Sequence, residues 1–223
     1  MASKFGAVCF DCDSTLSRIE GIDELARRAG CEAEIAALTA AAMDGRTALD
    51  DVYARRLDRV RPGLADLGWL GGRYGEEVVD GAAETITRLK HHGIPVYVVS
   101  GGLLQPVAAF AHALGIDASH VYAVEVFIDG TGAYDGFDAS NPLSRADGKA
   151  VVCRAIAERH GSVALVGDGV TDLEARAGGA YIVGFGGVAP RAAMEQGADV
   201  YVSTPNLIAV LGALLTQDQR ERS

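Results

Sequence analysis

Four short, unbroken apolar runs punctuate the chain: Ala7–Phe10, Ile94–Val99, Val163–Val166 and Tyr181–Val183, with a weaker one at Asp199–Val202. Unbroken rather than alternating hydrophobicity suits strands covered on both faces, as in a parallel sheet. Between them lie stretches of helical spacing, Ala82–His92, Leu103–Leu114 and Gly148–His160. Each is followed by a glycine of the kind that ends helices: Gly93, Gly115 and Gly161. Strand, helix and strand in alternation predict an α/β domain with a Rossmann-like parallel sheet and right-handed crossovers.

Two insertions interrupt that rhythm. Residues 15–80 hold no convincing strand but several helical patterns: Ile22/Leu25/Ala26/Ala29, Ile35/Leu38/Ala42 and Leu49/Val52/Tyr53/Leu57/Val60. The simplest arrangement is a helical cap of residues 15–80 on a core made of 1–14 and 81–223. The second insertion, Val121–Asp138, places an Asp129-Gly130 turn between β-rich flanks and predicts a small hairpin flap.

Several strands run directly into polar or glycine residues. Ala7–Phe10 meets Asp11-Cys12-Asp13-Ser14-Thr15, Val96–Val99 meets Ser100-Gly101-Gly102, and Val163–Val166 meets Gly167-Asp168-Gly169-Val170-Thr171-Asp172. In an open parallel sheet these ends share the edge where ligands bind. Four aspartates converging there would repel one another strongly, and a hard divalent cation would relieve that. Carboxylate oxygens without His or Cys suit Mg²⁺. Asp172 alone could equally be a helix cap. Asp11 is harder to explain that way, because a carboxylate extending an apolar strand is costly unless paired or metal-bound. Ser100-Gly101-Gly102 could be a plain turn, or backbone N–H groups exposed before a helix as an anion cradle.

Two cations sit on apolar helix faces. At about 100° per residue, Arg56 falls near the centre of the face set by Leu49, Val52, Tyr53 and Val60. Lys149 shares a face with Val152, Cys153 and Ile156, at a helix N-terminus where its charge has no dipole motive. Isolated cations commonly snorkel to water. Here the excess of aspartates at the strand ends favours contacts with an anion.

Composition narrows the partners. The 223 residues are 49% hydrophobic and 22% charged, enough for a globular core, with a net charge of -10. That charge is the opposite of a basic nucleic-acid footprint, so an anionic ligand must be met by particular lysines and arginines. Met1–Phe10 is too short for a signal segment, and Leu207–Leu215 too short to span a bilayer. A cytoplasmic protein without a membrane or nucleic-acid partner is expected, as monomer or homodimer. Of the four cysteines, Cys9 and Cys12 form a CxxC at a strand end while Cys31 and Cys153 stand alone, which favours buried thiols over a zinc or redox site.

At these residues the sequence resembles the haloacid dehalogenase-like superfamily, and more closely its phosphoserine phosphatase branch. Phe10-Asp11-Cys12-Asp13-Ser14-Thr15-Leu16, Val99-Ser100-Gly101-Gly102, Lys149 and Gly167-Asp168-Gly169-Val170-Thr171-Asp172 look like its four signatures in order. Ile19-Glu20-Gly21-Ile22-Asp23-Glu24-Leu25-Ala26, the Met43/Gly45/Arg56 pattern and Gly184-Phe185-Gly186-Gly187 extend the likeness over nearly the whole chain. The resemblance implies a phosphomonoester hydrolase acting on a small phosphorylated metabolite, phosphoserine first among them. It implies Asp11 as nucleophile and Asp13 as acid/base, with Ser100, Gly101, Gly102, Lys149 and Thr171 around the phosphoryl group. It further implies Mg²⁺ on Asp11, the Asp13 carbonyl and Asp168, braced by Asp172. In the cap, Glu20 would meet the substrate ammonium and Arg56 its carboxylate, with Met43 and Leu49 lining the pocket. Leu49 and Leu103 stand where the family often has aromatics, and Val124-Glu125 where an Asn-Arg pair is common. Another phosphomonoester or an alcohol acceptor is therefore an alternative, as is a silent phosphometabolite-binding module.

Overall fold

The computed structural model describes residues 3–43 and 49–221, with the side chains of 39–51 outside that description. After β1 (Ala7–Phe10) come four helices, α1 (Gly21–Ala29), α2 (Glu32–Met43), α3 (Leu49–Val60) and α4 (Leu64–Glu76). They are followed by α5 (Ala82–His91), β2 (Val96–Leu103), α6 (Leu104–Ala113) and β3 (Val121–Val124). A hairpin, β4 (Val126–Ile128) and β5 (Tyr134–Phe137), precedes α7 (Gly148–His160), β6 (Val163–Gly167) and the short α8 (Val170–Glu174). The chain then forms β7 (Tyr181–Phe185), α9 (Ala192–Gly197) and β8 (Val200–Val202).

Six strands form a parallel sheet in the order β3-β2-β1-β6-β7-β8. The order explains the unbroken apolar runs. β1 is central and wholly buried, with Val8 and Phe10 in one apolar cluster and Ala7 and Cys9 in the other. The first cluster includes Ile86 and Leu89 of α5 and Phe110 of α6; the second includes Val152, Cys153 and Ile156 of α7. Chain order reverses between β1 and β6, so the crevice at their C-terminal ends is the natural ligand position of such a sheet. The Asp11 N–H donates to the Val166 carbonyl at 2.9 Å, holding the two strand ends together at that point.

Helices α1 to α4 lie between β1 and α5, and the chain leaves and re-enters side by side. Ser17 and Val78 form an isolated antiparallel bridge, flanked by Arg18 N–H to Glu77 O at 2.8 Å and Val79 N–H to Leu16 O at 2.9 Å. Leu25, Ala26, Ile35, Val52, Leu57 and Val60 are buried as their spacing predicts, whereas Ala29 is exposed. The buried charge on α1 is Glu24, which pairs with Arg27 and, at 3.2 Å, with Arg73 of α4.

Two expectations need correction. Val121–Val124 is not part of the hairpin; it is β3, the edge strand of the main sheet, with Val98 opposite Val121. The hairpin is β4 and β5 alone, closed by a loop in which Asp129 accepts from the N–H groups of Thr131 and Ala133. Helix α4 is absent from the sequence reading because Leu64–Glu76 carries four glycines, each costing a helix about 1 kcal/mol against alanine. Tertiary packing overrides that cost: Leu67, Leu70 and Tyr74 are buried, and Gly71 faces Pro106 and Ala109 of α6.

Candidate active site

A cavity of about 590 Å³ opens over the C-terminal ends of β1, β2 and β6. Asp11, Asp13, Glu20, Arg56, Ser100, Gly101, Gly102, Lys149, Asp168 and Thr171, all singled out in the sequence, line it together. Asp172 is fully buried behind them. Met43 and Leu49, implied for the pocket wall, have side chains outside the described residues.

Asp11 leaves β1 at 8% exposure. One carboxylate oxygen accepts from the Cys12 N–H at 2.7 Å, and the other lies 2.8 Å from the Lys149 ammonium. The same ammonium reaches Asp172 at 2.6 Å. Lys149 is thus the shared counter-ion of two carboxylates, not a snorkelling surface lysine. Burial pulls its pKa down, but Asp11 and Asp172 outweigh burial and the ammonium is held above its ordinary value. Asp172 also takes the helix-cap role open to it. Its second oxygen accepts from Gly169 N–H at 2.9 Å, capping α8. Gly167 makes this possible, since a Cβ there would lie 2.1 Å from the Asp172 carboxyl carbon.

The loop after Asp11 turns sharply. Leu16 and Ser17 N–H groups both return to the Cys12 carbonyl, and Ser14 occupies the left-handed region at φ 51°. That turn brings the Ser14 hydroxyl to Glu20 at 2.7 Å and sets Asp13 beneath Gly21. Asp13 Oδ1 accepts from the Gly21 N–H at 3.2 Å and from the Tyr74 hydroxyl at 2.7 Å. Burial first, then the charges of Glu20 and Asp11, push Asp13 well above the usual carboxylate range despite those donors. Two aspartates two residues apart therefore differ in environment: one faces an ammonium, the other is pushed toward its neutral acid.

Asp168 follows β6 and receives the Arg191 guanidinium at 2.8 Å. Burial and the neighbouring Asp11 raise it to about 6, against the pull of Arg191. Carboxylate oxygens of Asp11, Asp168 and Asp172 lie within 4.8 Å of one another, a hard-oxygen donor set of the kind that holds a divalent cation. At the end of β2, the Ser100 hydroxyl accepts from Gly102 N–H at 3.0 Å, where the pairing with β3 shifts register. The Tyr53 hydroxyl of α3 donates to Gly101 O at 2.9 Å, tying the inserted helices to that loop.

Three contributors escaped the sequence reading. Arg191 bridges Asp168 and, at 3.3 Å, Glu20; it lies far down the chain in a segment without a strong pattern. Tyr74 belongs to the unforeseen α4. Tyr53 was read only as an apolar position. The four cysteines are buried free thiols, and no helix among the described residues is long and apolar enough to cross a membrane.

This arrangement on this sheet has counterparts. Residues 8–176 match the model of the haloacid dehalogenase-like hydrolases. The phosphoserine phosphatase of Mus musculus is 33% identical over 210 residues, covering 93% of this chain and 92% of that one. A solved structure of a phospho-aspartyl intermediate analogue of phosphoserine phosphatase superposes with a TM-score of 0.77 at 27% identity, covering 96% of this chain and 100% of that one. A substrate-bound phosphoserine phosphatase complex gives the same TM-score of 0.77 at 27% identity, again covering 96% and 100%. The chain belongs to the haloacid dehalogenase-like hydrolase family. Within it, the relatives named here are phosphoserine phosphatases.

Proposed function

We propose that the chain is a phosphoserine phosphatase, converting O-phospho-L-serine to L-serine and phosphate through an aspartyl-phosphate on Asp11. The observation that carries this reading is the contrast between Asp11, set against Lys149, and Asp13, raised toward its neutral acid at the same cavity. Such a split in environment suits one carboxylate to nucleophilic attack and the other to proton transfer.

In the first step an Asp11 oxygen bonds to phosphorus while the phosphorus–seryl oxygen bond breaks, and Asp13 gives its proton to the departing oxygen. In the second, Asp13 takes a proton from water as the water oxygen bonds to phosphorus and the Asp11–phosphorus bond breaks. Lys149, the Ser100 hydroxyl, the Gly101 and Gly102 backbone and Thr171 hold the phosphoryl oxygens through both steps. Asp11, the Asp13 carbonyl and Asp168 are the groups to hold Mg²⁺, which when bound offsets the charge of the phosphoryl oxygens; Asp172 braces them.

Substrate choice falls to residues 15–80, which we assign as a cap on a core of 1–14 and 81–223. Glu20 would meet the substrate ammonium and Arg56 its carboxylate; both line the cavity, with Val52, Leu57 and Leu70 among its apolar residues. The test is phosphate release with Mg²⁺ from a panel of phosphomonoesters. Phosphoserine is expected to be preferred; a preference no greater than for a generic aryl phosphate refutes the substrate assignment.

A further inference from the structure

Among the described residues, Asp13 accepts two side-chain hydrogen bonds, both on one oxygen. Tyr74 O–H and Gly21 N–H each donate to Oδ1, at 2.7 and 3.2 Å. Tyr74 comes from the last turn of α4, 61 residues along the chain from Asp13. It is fully buried, and its ring stacks on Phe110 of α6 with centroids 5.6 Å apart. The hydroxyl has little freedom. A Cβ on Gly21 would lie 2.1 Å from it and one on Gly102 3.6 Å, so the phenol is wedged between the first turn of α1 and the Ser100-Gly101-Gly102 loop.

We infer that Tyr74 is the positioning residue for the acid/base Asp13: with Gly21 it occupies Oδ1 as acceptor, so the catalytic proton is carried on Oδ2. The inference deepens the phosphatase reading and rests on it. A carboxylic acid has one O–H and one carbonyl oxygen, and two donors on Oδ1 make that oxygen the carbonyl. Oδ2–H then gives its proton to the substrate oxygen as the phosphorus–oxygen bond breaks, and regains one from water in the second step. Tyr74 keeps its own proton throughout. A buried hydroxyl spent on a carboxylate also fixes the carboxyl plane, and with it the direction of proton transfer. The competing view is that Tyr74 simply fills core volume between α4 and α6.

The two views differ in leaving-group dependence. An alkoxide departing from phosphoserine needs a proton; 4-nitrophenolate departing from 4-nitrophenyl phosphate scarcely does. kcat/KM reports events up to departure of the first product, so it isolates the acid step. General acid–base catalysis contributes about 10²–10⁴-fold, and loss of positioning should forfeit part of it. Tyr74→Phe, with Mg²⁺ present, is expected to lower kcat/KM on phosphoserine about tenfold more than on 4-nitrophenyl phosphate. Equal losses on the two substrates, or no loss on phosphoserine, overturn the inference. If the Phe variant does not fold, 3-fluorotyrosine at position 74 keeps the shape and strengthens the donor. The ratio of the two kcat/KM values should then move, and an unchanged ratio overturns the inference. Full activity of Asp11→Asn on both substrates strikes the underlying covalent scheme on Asp11 instead and takes this inference with it.

Discussion

Replacing Lys149 by Met removes the one ammonium between Asp11 and Asp172 while keeping an unbranched side chain of similar length. The two carboxylates have oxygens within 4.8 Å of each other. At an effective dielectric near 20, unit charges at that separation repel by about 3 kcal/mol. Breaking a buried pair by deleting one partner costs about 3–5 kcal/mol, a range that already contains this repulsion. In a chain of 223 residues such a loss lowers Tm by about 10 °C. The assay is thermal unfolding in EDTA at pH 7, for wild type and Lys149→Met, repeated at pH 5 and with Mg²⁺. The gap should narrow at pH 5, where the site can shed charge by taking up a proton, and with Mg²⁺, which supplies positive charge. A shift under about 3 °C at pH 7 in EDTA, or one indifferent to both pH and Mg²⁺, refutes the assignment of Lys149 as their counter-ion.

Other outcomes follow from the same geometry. Asp168 is raised to about 6 in the fold, so the stability it contributes is complete below its unfolded value near 4 and is lost as pH rises through 6. Asp13 and Glu20 are shifted in the same direction. In EDTA Asp168 alone should therefore cost the wild type about 3 kcal/mol between pH 4 and 7, and Mg²⁺ should raise Tm more at pH 7 than at pH 5; an equal rise at the two pH values contradicts this. Gly167→Ala drives a methyl into the Asp172 carboxyl, so turnover should fall at least tenfold and Tm by several degrees, read by phosphate release and calorimetry. Arg56→Ala should raise KM for phosphoserine about tenfold or more while changing KM for 4-nitrophenyl phosphate little; equal effects remove Arg56 from substrate recognition.

Much of the site was legible because its residues break local patterns. Asp11 ends an apolar strand, and Lys149 shares a face with Val152, Cys153 and Ile156; each is buried and the two are paired. The strand-end aspartates converge because a parallel sheet puts its C-terminal ends on one edge. What stayed hidden depends on tertiary context. Helix α4 contradicts its own glycine-rich sequence and is held by packing on α6, so Tyr74 could not be placed. Arg191 reaches Asp168 and Glu20 from a segment whose local pattern says nothing of either. Val121–Val124 reads as a hairpin arm because a short β-rich run near a turn does not reveal which sheet it joins. Glu20, opposite the apolar face of α1, was legible only by resemblance, and its ties to Ser14 and Arg191 come from two separate parts of the chain.

The central claim is a covalent phosphoryl group on Asp11. Turnover of phosphoserine with Mg²⁺ can be quenched in acid, the acyl phosphate reduced with borohydride, and the digest searched by mass spectrometry for homoserine. The account predicts homoserine at position 11, absent when substrate is omitted. Brisk phosphate release with no modified residue, or with the modification at Asp13 or elsewhere, contradicts it.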